Sequence, residues 1–180
     1  MRKPRFWGVR ESEVRASYPC DDLLDSPQEE WFRAVTVRAD PAVVFRWLCQ
    51  LKVAPYSFDL VDNLGRRSPR ELTPGAERLE IGQRVMYIFR LVDFEYGRHL
   101  TLKMDRPRAL RLFGGFALSY TVAESAPGTT RLVVKLVVGD KDGMLGRLRM
   151  PIMAWGDLAM MSRQLHILRK YAERQRSSPG

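Results

Sequence analysis

At 180 residues with 45% hydrophobic content, the chain can bury one sizeable core, and a single globular domain is the economical reading. A formal net charge of +9 and an isoelectric point near 10.0 suit an anionic partner or simple solubility. No helix-turn-helix, zinc-finger or aromatic RNA-binding signature gathers the basic residues, so nucleic acid is not expected. Two cysteines, Cys20 and Cys49, make no disulfide framework. Without a secretory h-region or an apolar run near the ~18 residues of a membrane span, the chain reads as cytoplasmic with no integral membrane insertion.

Residues 1–30 combine Arg2, Lys3 and Arg5 with Phe6, Trp7, Leu23, Leu24 and an acidic cluster at Asp21, Asp22 and Asp25, without sustained periodicity. They read as an irregular extension wrapped on the domain. A strand is predicted over Trp31 to Arg38. Asp40-Pro41 then supplies a helix start, an N-cap acceptor followed by proline at the first helical position. Val44, Trp47, Leu48 and Leu51 recur at helical spacing, with Cys49 as a small core residue. A second short helix is predicted from about Ser57 to Leu64, closed by Gly65.

From Arg66 to Gly82 the chain reads as a long charged loop with Pro69, Pro74 and Gly75. Alternation follows. Val85, Tyr87, Phe89 and Leu91 share one strand face, and Leu100, Leu102 and Met104 another, after the Tyr96-Gly97 turn. Leu110 and Leu112 suggest a short strand. Phe116, Leu118, Tyr120 and Val122 form a longer one, and Leu132, Val134, Leu136 and Val138 the last, with a hairpin at Pro127-Gly128. A helix is predicted from Pro151 to Gln175, leaving 176–180 as a disordered tail.

This order predicts an α+β fold. A curved antiparallel sheet of about six strands wraps on the long C-terminal helix, with two short helices after the first strand. Such a grip encloses a cavity whose walls come from inward strand positions and the helix stripe.

The succession of Trp31–Arg38, "ADPAVVFRWLCQL" at 39–51, "APYSFDLVDNLGRRSP" at 54–69, "IGQRV" at 81–85, "GTTRL" at 128–132 and "WGDLAMMSRQLHILRKYAER" at 155–174 resembles the SRPBCC superfamily. These are START-like, polyketide cyclase-like helix-grip proteins, and the likeness runs closest to small bacterial members. It covers residues 31–175 and leaves 1–30 outside. It implies a cavity for a small hydrophobic or amphipathic ligand, lipid-, polyketide- or isoprenoid-like, without metal or other cofactor. It does not imply one activity. A cyclase, aromatase or dehydratase is the alternative, and a protein- or membrane-interaction module the second.

Within the last helix, Met150, Ala154, Asp157, Leu158, Met161, Leu165, Leu168 and Ala172 fall on one face. An acid in such a stripe needs a partner. Asp157 is the candidate catalytic residue, as an acid/base with a raised pKa. The favoured reading is an anchor, paired with an arginine or tyrosine or accepting backbone N–H bonds from the 54–69 loop. The expected cavity residues are Tyr56, Tyr87, Phe89, Leu102, Phe116, Tyr120, Asp157, Met161, Gln164 and Leu165. Tyr87, Tyr120 and Gln164 could form a polar patch that polarises a ketone. Gly156 suggests close approach of a strand or loop. Met144, Met150, Met153, Met160 and Met161 read as core filler or an adaptable wall.

Ile152, Trp155 and Ala159 give the helix start a second apolar face. The leader is expected to cover it, with a homodimer partner or membrane surface as the alternative. His99 is expected to face solvent and His166 the polar helix face, which makes zinc improbable. Arg66, Arg67 and Arg70 read as a solvated loop or as gates of the cavity mouth.

Overall fold

The computed structural model describes residues 2–57, 68–139 and 144–176, with backbone alone at 144–149 and at 176. Its sheet has seven strands: β1 (Phe6–Trp7), β2 (Pro27–Val37), β3 (Arg84–Val85), β4 (Phe89–Glu95), β5 (His99–Met104), β6 (Phe116–Ala126) and β7 (Thr129–Gly139). The order across the sheet is β1-β2-β7-β6-β5-β4-β3, curved and unclosed. Only β1 runs parallel to its neighbour, pairing Phe6 with Phe32 and Trp7 with Arg33. The helices among the described residues are α1 (Glu11–Val14), α2 (Pro41–Cys49) with a 3-10 turn at Gln50–Lys52, α3 (Pro107–Phe113) and α4 (Met144–Arg176).

Parity along β2 explains the layering. Trp31, Arg33, Val35 and Val37 point one way and Phe32 and Ala34 the other, because successive strand side chains alternate between faces. The first set joins the main core, where Val44, Trp47 and Leu48 of α2 and Ala154, Met161, Leu165, Leu168 and Ala172 of α4 meet the concave face. The second set, with Val133, Val137 and Ala117, is roofed by Tyr18, Cys20, Leu23 and Leu24 of the leader. β2 and β7 are therefore buried on both faces.

The leader is more ordered than an irregular wrap, since it supplies β1 and α1. Two buried cations hold it. Arg131, at 9% side-chain exposure, donates to Glu13 at 2.8 Å and to the Gly8 carbonyl at 3.0 Å. Lys135 bonds Asp21 at 2.7 Å and Glu30 at 2.8 Å and lies over the rings of Tyr18 and Phe32. Part of the acidic cluster thus has a structural task. Gly8 sits at φ +70, and a Cβ there would lie 2.1 Å from the Ala34 carbonyl oxygen.

Four expectations change. Residues 107–113 form α3 rather than a strand. Pro107 at the first helical position and Gly114 at φ 84 just beyond the end are a helix start and stop, and they outweigh the two-leucine alternation. The strand expected through Tyr87 breaks at Met86 and Tyr87, both at positive φ, so β3 and β4 are separate. The long helix begins at Met144, with Pro151 inside it, although an interior proline removes one backbone hydrogen bond and crowds the preceding turn. Asp40 stands at the N-cap of α2 in extended conformation, but its side chain makes no capping bond. The helix predicted at 57–64, Gly65, Arg66 and Arg67 lie outside the described residues beyond Ser57.

Candidate functional site

Between the concave sheet and one flank of α4 lies a cavity of about 440 Å³. Its walls are mostly apolar: Trp31, Phe116, Leu118 and Leu136 from the sheet, Met86, Ile88 and Phe89 from the β3–β4 corner, Met153, Met160 and Met161 from α4, and Phe113 from α3. Asp157, Gln164 and Ser57 are its polar points. Of the predicted set, Tyr87, Phe89, Phe116, Asp157, Met161 and Gln164 line it. Tyr56, Leu102, Tyr120 and Leu165 do not; each is fully buried behind the wall. Tyr56 instead packs edge-on against Trp47 and Tyr171.

Asp157 accepts a 2.7 Å hydrogen bond from the Arg33 guanidinium. Arg33 has no exposed side-chain surface and Asp157 keeps 16%. The pair pins the middle of α4 to β2. Arg33 also donates to the carbonyls of Arg5 at 2.8 Å and Phe32 at 3.0 Å, which spreads its charge over backbone dipoles, while its Nε has no hydrogen-bond partner. Burial pushes the Asp157 carboxyl up to about 6 against the opposing pull of Arg33, and burial likewise lowers Arg33. Desolvation outweighs pairing on both sides, as expected when two charges leave water together. The carboxylate that remains at neutral pH faces the cavity.

The hydroxyl of Tyr120 donates to Gln164 Oε1 at 2.7 Å, and Gln164 Nε2 donates to the Pro55 carbonyl. Burial holds the Tyr120 phenol far above its usual range, so it stays a donor at any working pH. The expected polar patch is thus split. Gln164 lines the cavity with its amide oriented from behind by Tyr120, while Tyr87 stands at the rim, partly exposed. Among the described residues three non-glycine positions adopt left-handed backbone, Tyr56 (φ 54), Met86 (φ 47) and Tyr87 (φ 62). All lie in the two segments that bound this end of the cavity, and stored backbone strain tends to collect at binding sites.

Gly156 also lines the cavity, and a Cβ built there meets nothing within 4 Å. Among the described residues no strand or loop approaches it, and the glycine faces the cavity. Most of the leader, expected over Ile152 and Trp155, packs on the opposite side of the sheet; Trp7 joins the main core and meets the His166 ring at 5.4 Å between centroids. Ile152 and Trp155 stay 74% and 54% exposed. His99 is half-buried and bonded to Asp93 at 2.9 Å, while His166 is on the exposed side of α4. Cys49 is buried, its thiol pushed up to about 12 by desolvation. Among the described residues no group of His, Cys, Asp and Glu is placed to hold a metal. None of their helices is long and apolar enough to cross a membrane. Arg70 lies in a separate, shallow groove with Arg46, Trp47, Tyr171 and Arg174, away from this cavity.

Sequence reading passed over Arg33 and most of the wall. Arg33 had left a signal, since it shares inward parity with Trp31 and Val35. Met86, Ile88 and Phe113 left none, because their placement follows from the corner at 86–88 and from α3.

No family model matches the chain, and no curated protein matches it by sequence. Solved structures do resemble it. The Zhui aromatase/cyclase of Streptomyces sp. R1128 aligns at 15% identity over 82% of this chain and 94% of its own, with a TM-score of 0.52. A protein of Thermus thermophilus aligns at 15% identity over 83% and 100%, TM-score 0.51. The di-domain ARO/CYC StfQ from the steffimycin biosynthetic pathway aligns at 10% identity over 83% of this chain and 52% of that one, TM-score 0.50. At such identities the likeness concerns the backbone, and what the chain shares with these aromatase/cyclases is the helix-grip fold.

Proposed function

We propose that the protein binds a small hydrophobic or amphipathic ligand in the cavity between the sheet and α4. The observation that carries this reading is an apolar-walled space of about 440 Å³ with a few converging polar groups, in the ~300–1,000 Å³ range usual for small-molecule sites. A ligand with an apolar body and one hydroxyl or amine would seat the body against Trp31, Phe116 and the methionines and direct its polar end to Asp157 and Gln164. The adaptable thioethers favour a family of related shapes over one rigid ligand.

The test is to extract the purified protein with organic solvent and identify co-purified molecules by mass spectrometry, comparing wild type with Gly156→Leu. The leucine projects into space where nothing stands within 4 Å, so it should fill the site and leave the fold intact. Loss of the extracted molecule from the variant is the expected result. An equal yield from both proteins, or none from either, would overturn the proposal.

A second reading, a cyclase-like enzyme, is favoured by the Asp157 carboxyl at about 6 on the cavity wall, near the value that suits a proton acceptor at neutral pH. Asp157→Asn separates the two. A carrier keeps its ligand chemically unchanged in wild type and variant, whereas an enzyme converts an added polyketide-like ketone and loses that conversion in the variant.

A further inference from the structure

The mouth of the cavity is surrounded by apolar side chains that face solvent. On α4, Ile152, Gly156 and Met160 follow one another at four-residue spacing, and Trp155 stands about 60° further round the helix from Ile152, on the side away from the cavity. Ile152 and Trp155 are 74% and 54% exposed and Met160 40%. Across the opening, Phe113 of α3 is 40% exposed and Tyr87 45%. Met160, Phe113 and Tyr87 also line the cavity, so the exposed apolar residues reach its wall there, while Ile152 and Trp155 extend the patch over the outer face of α4.

The same segments are basic. Residues 84–90, 104–113 and 150–164 carry six arginines (84, 90, 106, 108, 111 and 163) against two acids, Asp105 and Asp157, a net of +4. Both acids are engaged, Asp105 by Arg84 and Arg90 and Asp157 by Arg33. Arg106, Arg108 and Arg111 are exposed at α3, which holds no acid. An apolar patch with an exposed tryptophan, rimmed by arginines, matches the interface of an anionic bilayer. Tryptophan favours the headgroup level, and basic side chains gain from the negative surface potential. A protein partner could meet the apolar part equally well, but the one-sided charge around an opening into an apolar cavity favours lipid.

We infer that the cavity mouth is a peripheral membrane-docking surface for anionic bilayers, with Trp155 and Ile152 entering the interface and the α3 arginines facing lipid headgroups. Docked in this way, the opening faces the bilayer, and an apolar ligand passes between lipid and cavity without crossing water. Docking stands on the surface alone; only the ligand exchange rests on the proposed cavity function.

The experiment is co-sedimentation of the full chain with vesicles of phosphatidylcholine alone and of phosphatidylcholine mixed with phosphatidylglycerol, at low and high salt. Expected is salt-sensitive binding to the mixed vesicles only, with a blue shift of tryptophan emission and its quenching by brominated lipid, both absent in Trp155→Phe. The double variant Arg108→Ala/Arg111→Ala should bind about thirty-fold more weakly, from ~1 kcal/mol per basic side chain near an anionic surface. Ile152→Ser/Trp155→Ser should lose binding while melting like wild type, since both side chains are exposed.

Absence of binding, binding indifferent to these substitutions, or a dimer that Ile152→Ser/Trp155→Ser dissolves would each overturn the inference, the last assigning the patch to a second copy. Retained vesicle binding with no extractable ligand counts against the cavity function alone. A ligand that co-purifies without vesicle binding counts against the docking alone.

Discussion

The pair between Arg33 and Asp157 offers the sharpest test of how α4 is held. Removing the acid, as in Asp157→Leu, leaves a guanidinium with no exposed surface and only two carbonyls to share its charge. At a charge separation of ~4 Å and an effective dielectric of ~20, the lost attraction is about 4 kcal/mol, in line with the ~3–5 kcal/mol typical of a broken buried pair. At ~2–4 °C per kcal/mol for a domain of this size, the melting temperature should fall by about 10 °C. Arg33→Met should be as damaging, because it strands a buried carboxylate. The double variant Arg33→Met/Asp157→Leu exchanges the charges for side chains of similar bulk, and should recover most of the loss or exceed wild type. Urea unfolding of the four proteins at pH 7 closes the cycle. A double variant as unstable as the sum of the singles would refute the reasoning, since the pair would then not be the interaction that matters.

Titration gives an independent reading of that carboxyl. Its folded pKa, about 6, lies above the ordinary 3.8, so the folded protein holds the proton more tightly. Stability from this group is fully present below pH 4 and is lost as pH rises through 6. At ~1.4 kcal/mol per pH unit the change is about 3 kcal/mol, visible as a slope in wild type that Asp157→Asn lacks; the opposite slope would mean that Arg33 dominates desolvation. Gly156→Ala should raise stability by about 0.5–1 kcal/mol in urea unfolding, from helix propensity with nothing to crowd the methyl, and a loss would mean that the space beside it is filled. Gln164→Leu should cost about 1–3 kcal/mol by stranding the buried Tyr120 hydroxyl, and adding Tyr120→Phe should return part of it in the same assay. Glu13→Ala should cost about 3 kcal/mol by stranding Arg131 and speed proteolytic cleavage within residues 1–26; an unchanged cleavage rate would mean that the leader is held by its apolar contacts alone.

Long periodic segments were legible, and the corners between them were not. β6 and β7 place large apolar residues at every second position and α4 at helical spacing, so both the grip and the partner demanded by Asp157 follow from the residues. Arg33 was readable on the same grounds, as an inward arginine in WFRAVTV, had both faces of that strand been weighed. The leader was less so. Phe6 and Leu24 look like loop residues until Phe32 and Val133 need a roof, which is a property of the folded sheet. α3 was misread because two leucines at i and i+2 suggest a strand, while the proline before them and the glycine after them delimit a helix. The break at Met86-Tyr87 had no local sign at all, since neither residue favours left-handed backbone and only tertiary context holds them there.

That break explains why a cavity exists where a packed core was equally available. A continuous strand from Val85 to Leu91 would have sent Tyr87 and Phe89 to the same face as Leu91, toward α4, closing the space between sheet and helix. Instead the chain turns at two left-handed residues, Tyr87 goes to the rim, and Gly156 opposite presents no side chain. The Arg33–Asp157 pair and the Gln164–Tyr120 bond then hold α4 to the sheet at two points beside the gap, so the helix is fixed without the gap being filled. Restoring an extended backbone at negative φ by substituting Met86 and Tyr87 with valine should therefore shrink the site. The check is ligand yield against melting temperature: lower yield at equal or higher stability supports this account, and lower stability with unchanged yield contradicts it.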